Sequence, residues 1–198
     1  MKESFLFMAH TVTRWRTTGA IAPSGRSLAR TIARAAGNIT QGQVVVELGP
    51  GTGVTTREIV KHFPNNRIIA IEIIDVFAAQ LEKTFPSVTV VRGDASQLEA
   101  HLKALGIAPE NVGAILSGLP LLAFPPDLAR RILASIRGVL RPGRRYVQFT
   151  YSRRAWRRFV VAGFRAISSK RVWLNVPPAS VLTFERTADA ATPSRTTP

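Results

Sequence analysis

Three segments of this chain carry residue types and spacings suited to holding a nucleoside-bearing ligand. The first is Glu47-Leu48-Gly49-Pro50-Gly51-Thr52-Gly53, which follows a β-branched run and opens a helical pattern. Glycines there permit a tight turn and let the backbone approach a ligand closely. The G-x-G-x-G spacing departs from the dinucleotide fingerprint, and Pro50 removes one N–H donor, which suits a ligand without a pyrophosphate. A plain left-handed turn would use the same residues, so the turn alone is weak evidence. Its companions strengthen it. Glu72 closes the next strand about twenty residues on, where a carboxylate can accept from both ribose hydroxyls. Asp94, in Arg92-Gly93-Asp94-Ala95, follows the third strand. Its carboxylate can accept from an adenine amino group while the Ala95 N–H donates to a ring nitrogen. Either acid alone would more often be a helix cap or a solvated charge. All three segments fall at strand C-terminal ends, where open α/β sheets bind ligands.

The elements that must position these residues alternate. Strand-like runs occur at residues 43–48, 67–71, 88–91, 112–116 and 145–151, with two more expected at 172–174 and 180–185 around Pro177-Pro178. Helical patterns occupy residues 55–62, 75–83 with Asp75 as a cap, 95–105 closing at Gly106, and 126–139 opening on Pro126. Alternation of this kind implies βαβ units and a parallel sheet, and the last two strands imply an antiparallel edge hairpin.

Length, 198 residues, suits one domain with a substantial core. There is no cysteine, which excludes disulfides and thiolate metal sites, and His10, His62 and His101 are scattered, so no metal is expected. The formal charge of +15 is uneven: residues 130–171 hold thirteen basic side chains and no acidic one. A block of one sign points to a polyanionic partner, either nucleic acid or an anionic membrane surface. Near the start, Phe5, Met8, Val12 and Trp15 share a helical stripe, with Arg14 and Arg16 beside it. That pattern fits an interfacial helix over residues 1–18; the alternative is a helix packed on the domain itself, and a Trp and two Phe beside arginines favour the first. If residues 153–165 are helical, Arg153, Arg154, Arg157, Arg158 and Arg165 fall on one side and Trp156, Phe159 and Ala162 on the other. Arginine can grip phosphate in a bidentate fork. No apolar run approaches the roughly 20 residues needed to span a bilayer, so a cytoplasmic protein bound peripherally at the inner face of the membrane is expected. Residues 187–198 read as a disordered tail.

Beyond the glycine motif, several segments discriminate further: GAIAPS at residues 19–24, GDA at 93–95, SGLPLL at 117–122, QFTY at 148–151 and NVPPA at 175–179. With VVELGPGTGVTT they resemble bacterial phosphatidylethanolamine N-methyltransferases of the class I superfamily over roughly residues 5–186. Gly25 departs from the expected second serine after Ser24, which puts the local contacts of that loop in doubt. The resemblance implies a Rossmann-like α/β domain over residues 19–186, with a seven-stranded, mostly parallel sheet and helices on both faces. It implies S-adenosylmethionine as cofactor, with S-adenosylhomocysteine as product. The residues implied to hold it are Glu47, Gly49, Gly51, Gly53, Thr55, Glu72, Ile73, Asp94, Ala95 and Ser117, together with Ile21 and Ser24. Ser117 and Pro120 lie at the lip where the methyl group is presented, so carbonyls and the Ser117 hydroxyl there can accept from a substrate amine. Tyr151 either orients the headgroup through its hydroxyl or is a half-buried rim aromatic.

Phosphatidylethanolamine and its methylated forms are the implied substrates, with one to three methyl transfers at an anionic surface contacted by Trp15, Arg14, Arg16, Arg153, Arg154, Trp156, Arg157 and Arg158. A monomer is expected. The main rival is an rRNA adenine dimethyltransferase, for which the charge is equally suitable. Such an enzyme would show a polar Asn or Asp and an aromatic at the lip for a flipped base. Here the lip reads Ser117-Gly118-Leu119-Pro120-Leu121, so nucleic acid is not the expected substrate. A non-catalytic membrane-binding module is the other alternative, and retention of Glu72, Asp94 and the intact glycine turn speaks against it.

Overall fold

The computed structural model describes residues 23–156, 163–173 and 178–188. Seven strands form one sheet in the order β3-β2-β1-β4-β5-β7-β6. They are β1 (Val44–Leu48), β2 (Arg67–Glu72), β3 (Val88–Arg92), β4 (Val112–Ser117), β5 (Arg145–Thr150), β6 (Phe164–Val172) and β7 (Ala179–Arg186). The first five run parallel, and β7 lies antiparallel between β5 and β6. β1 is central, and its five residues Val-Val-Val-Glu-Leu are all buried, as expected of a parallel strand covered on both faces.

Each face carries its own apolar layer, and strand alternation sorts side chains between them. Helices α1 (Pro23–Ala35), α2 (Val54–His62) and α3 (Asp75–Thr84) cover one face. Leu28, Ile32, Ile59 and Leu81 pack there on Val45, Ile68, Leu116 and Val181. Helices α4 (Leu98–Ala104) and α5 (Pro126–Val139) cover the other. Leu98, Leu102, Ile132 and Ile136 meet Val46, Ile69, Ile71 and Ile115. On α5 the residues Leu128, Ala129, Ile132, Leu133, Ile136 and Val139 form the buried stripe, each large one stabilising by about 1.5–3 kcal/mol. Among the described residues no helix is long and apolar enough to cross a membrane.

Several elements differ from expectation. Helix α1 was not foreseen, although its Leu28, Ala29, Ile32, Ala33 stripe is buried. Asp75 is the first helical residue of α3 rather than its cap, which is Ile74. The helix expected over residues 95–105 is a 3₁₀ turn at Ala95–Gln97 followed by α4. Asp94 caps that turn, its Oδ1 accepting from Ser96 N at 2.8 Å, so the chain enters α4 by a tighter winding. The helical reading of residues 153–165 is corrected at its end, where Phe164 and Arg165 belong to β6; α6 (Arg153–Trp156) is its described part, and residues 157–162 lie outside the described residues. Arg165 pairs with Glu185 of β7 at 2.7 Å. The strand expected at 172–174 is only the end of β6. The interfacial helix expected at residues 1–18 and most of the expected tail lie outside the described residues.

Candidate functional site

The C-terminal ends of four parallel strands are knitted into one edge by backbone bonds that continue the ladders into the loops. Gly49 N donates to Ile71 O at 2.9 Å, Gly93 N to Glu72 O at 3.0 Å and Gly118 N to Leu48 O at 2.8 Å. The glycine turn, Glu72, the Gly93-Asp94 loop and the Ser117–Pro120 lip are thereby brought together.

Gly49, Gly51 and Gly53 have φ of +66°, +56° and +81°, a region other residues enter at a cost. A Cβ on Gly49 would stand 2.4 Å from Leu119 Cδ2, and one on Gly53 2.5 Å from the Phe85 ring. The turn is therefore pressed against the lip on one side and α3 on the other. Glu72, nearly fully buried, accepts Gly51 N at 2.8 Å through Oε2 and Ile74 N at 3.0 Å through Oε1. An ionised carboxylate offers about four acceptor positions, so it can brace two loops and still be a hydroxyl acceptor by type. The donor set fits an adenosyl ligand: glycine backbone, a braced carboxylate, and the Asp94-Ala95 pair on the next loop. S-adenosylmethionine would lie along this edge, held by Glu72, Asp94, Ala95 and the glycine turn.

Glu47 is fully buried and its Oε2 accepts the hydroxyl of Thr56 at 2.6 Å. It braces the start of α2 beneath the turn. Thr55, named from the sequence, is the partly exposed neighbour, and Thr56 makes the bond. Ile73 is half-buried and packs on the core beside Glu72. Ser24 lies in the first turn of α1. Ile21, Arg14, Trp15, Arg16, Arg157 and Arg158 lie outside the described residues. His101, not expected to take part, places its Nε2 3.1 Å from Asp94 O, and its ring occupies the space a Cβ on Gly93 would need. It positions the Asp94 loop. A bare histidine in a helical pattern gave no signal for this.

The lip rests on a buried polar network. Ser117 is buried and its Oγ accepts Leu119 N at 3.3 Å. Tyr146 donates to Gln148 Oε1 at 2.7 Å, and Gln148 Nε2 donates to Leu119 O at 2.8 Å and Phe149 O at 2.9 Å. Burial pushes the Tyr146 phenol far above its ordinary value, against a smaller opposing effect of a hydrogen bond with Ser117. Tyr146 was missed, because an aromatic inside a strand reads as core. Gln148 fell inside the QFTY segment, but nothing in its type marked it as the bridge.

Against the lip sits a cleft of about 320 Å³ lined by Pro120, Leu121, Gln148, Phe149, Tyr151 and Trp156. Tyr151 is half-exposed and meets Phe149 edge-on at 5.8 Å. A larger groove of about 840 Å³ shares Tyr151, Ser152 and Trp156 with this cleft and continues over Phe164, Ile167, Leu182 and Phe184. Arg153, Arg154, Arg171, Ser168 and Ser169 line it as well. Trp156, expected at the substrate or the membrane, is buried, 5.8 Å from the Phe184 ring, and forms a wall shared by both cavities. Arg153 and Arg154 are exposed as expected.

A family model described as a methyltransferase domain matches residues 45–143. An ornithine lipid N-methyltransferase of Singulisphaera acidiphila is 34% identical over 185 residues, 90% of this chain and 94% of that enzyme. A ribosomal RNA small subunit methyltransferase A of Moorella thermoacetica is 32% identical over 119 residues, 56% of this chain and 40% of that enzyme. Among solved structures, the 1,6-didemethyltoxoflavin-N1-methyltransferase of Burkholderia thailandensis, with bound S-adenosylhomocysteine, superposes with a TM-score of 0.67 at 18% identity, over 94% of this chain and 89% of that one.

Proposed function

Given that this chain belongs to the methyltransferase-domain family, we propose that it transfers methyl groups to the amine of a polar lipid headgroup at an anionic membrane surface. S-adenosylmethionine is the methyl donor; it supplies an electrophilic methyl on a sulfonium. The observation that carries the lipid reading is the pair of connected cavities. A small cleft at the lip has room for an amine headgroup, and the larger groove beside it combines an aromatic wall of Trp156, Phe164 and Phe184, suited to hydrocarbon, with serines and arginines suited to a polar headgroup. Arg153 and Arg154 in its lining can pair with the headgroup anion.

Phosphatidylethanolamine is our first choice of substrate, through to phosphatidylcholine by one to three transfers. An ornithine lipid is the second, favoured by the 34% identical relative. Both present an amine and an anion, and the site offers both partners. The nucleophilic nitrogen must lose its proton before it attacks. Among the described residues lining the lip cleft there is no histidine and no carboxylate. The chain's contribution is then positioning and exclusion of water, with the proton passing to solvent. Tyr151 orients the headgroup, while Ser117 and Pro120 shape the lip.

The test is radiolabelled methyl transfer into vesicles holding phosphatidylethanolamine or an ornithine lipid with an anionic lipid, and into ribosomal RNA in parallel. Label in a lipid fraction supports the reading and identifies the headgroup. Label in RNA alone overturns it.

A further inference from the structure

On the opposite face of the sheet from the apolar groove, α1 and β6 enclose a second cleft of about 550 Å³. Its lining includes Arg30, Arg34, Lys170 and Arg171 with the hydroxyls of Ser27, Thr31, Ser168 and Thr183, and no carboxylate. Arg30 is tied to Glu58 at 3.4 Å. Arg34, Lys170 and Arg171 have no carboxylate within ion-pair distance among the described residues. Thr183 is buried, and its Oγ1 has no hydrogen-bond partner there. A buried hydroxyl in that state, set in the wall of a cationic cleft, is suited to meeting an oxyanion.

An exposed indole stands just past the C-terminal end of β6: Trp173 is 71% exposed, and the Arg171 guanidinium lies 4.8 Å over its ring. Ile167 lies midway along β6 and lines the larger groove rather than this cleft. Cations beside an exposed indole match the headgroup boundary of a bilayer. Arg171 and Ser168 also line the apolar groove, so a contact made here brings that groove to the same surface.

We propose that the cleft between α1 and β6 is a phosphate-binding subsite for anionic lipid headgroups, through which the edge strand docks on the bilayer with Trp173 inserted at the boundary. The choice of a bilayer as partner rests on the lipid reading above. Binding is measured without S-adenosylmethionine, so its failure leaves the methyl-transfer assay standing, and the reverse.

The experiment is co-sedimentation of the full chain with phosphatidylcholine vesicles containing about one third phosphatidylglycerol, where each basic residue near the surface strengthens binding roughly fivefold. The triple variant Arg34→Gln, Lys170→Gln, Arg171→Gln should bind about a hundredfold more weakly. A charge-matched triple on other elements, Lys83→Gln, Lys103→Gln, Arg131→Gln, should lose about threefold or less, because its cations lie off the docking face. Equal losses in the two triples, or none in the first, overturn the proposal. So does a first triple that loses ribosomal RNA binding while keeping the vesicles. Independently of any effect on folding, brominated lipid should quench the fluorescence of the wild type more than that of Trp173→Phe. Equal quenching overturns the insertion of Trp173.

Discussion

One carboxylate joins two loops: Glu72 accepts the N–H of Gly51 at 2.8 Å with one oxygen and that of Ile74 at 3.0 Å with the other. The acid proposed to hold the ribose thus also fixes the glycine turn that would bear on the same ligand. Glu72→Gln puts an amide NH₂ against one of two N–H donors. S-adenosylhomocysteine affinity should fall about 10- to 100-fold, as for loss of a hydrogen bond to a charged group worth about 1.5–3 kcal/mol. Titration calorimetry checks this, and an affinity within twofold of wild type removes Glu72 from the ribose site.

The contact of the turn with the lip gives a second expectation. Gly49→Ala meets left-handed strain of about 1–2 kcal/mol and overpacking against Leu119 of about 1–3 kcal/mol. Adding Leu119→Ala should relieve the overlap but not the strain. Urea unfolding of the two single variants and the double should therefore show a destabilisation smaller than additive. Additivity would mean that Leu119 does not press on the turn.

Gln148 bridges Tyr146 and Leu119 O in a buried setting. Gln148→Leu takes one partner from the Tyr146 hydroxyl, which keeps Ser117, and one from Leu119 O, which keeps Leu121 N, and should destabilise by about 1–3 kcal/mol, as for two lost hydrogen bonds of about 0.5–1.5 kcal/mol each. Tyr146→Phe in the same background should recover part of that. A double variant less stable than Gln148→Leu by the full Tyr146→Phe cost would show the two residues act independently.

Legibility followed burial. Residues 126–139 were read as a helix and are one, because Pro126 opens it and its apolar stripe is sharp. The five parallel strands were read within a residue or so because a strand buried on both faces is a continuous apolar run. β6 was not readable. All but Phe164 and Val172 of its nine residues are exposed, and Ser168, Ser169, Lys170 and Arg171 give no period-two signal. Only its pairing with β7 makes it a strand. In the site, the glycines and Glu72 declared themselves by spacing. Thr56, His101 and Tyr146 did not, since each acts through a bond that chain proximity does not show.

Tyr151→Phe tests the headgroup role directly. Loss of one hydrogen bond of about 1.4 kcal/mol predicts a tenfold fall in kcat/KM for lipid. S-adenosylhomocysteine affinity should not move. Undiminished kcat/KM would make Tyr151 a rim aromatic.

The pH profile tests the absence of a protein base at the lip. The logarithm of kcat/KM should rise with unit slope towards the pKa of the substrate amine, roughly 10 for an alkylamine. Tyr146 adds no limb of its own, because burial raises its phenol and keeps it protonated throughout. A break between about pH 6 and 7 would instead reveal a histidine acting on the nitrogen.

β6 ends the sheet formed by the described strands, pairing with β7 on one side. A row of backbone donors and acceptors at such a border is a template on which a second molecule can zip. Lys170 and Arg171 give that border positive charge, while Arg165 is paired with Glu185, so two copies approaching edge to edge repel each other before their ladders can join. Replacing these cations therefore risks fibrillar self-association even where the fold itself is untouched, and polyanions that neutralise them should promote it in the unmodified chain.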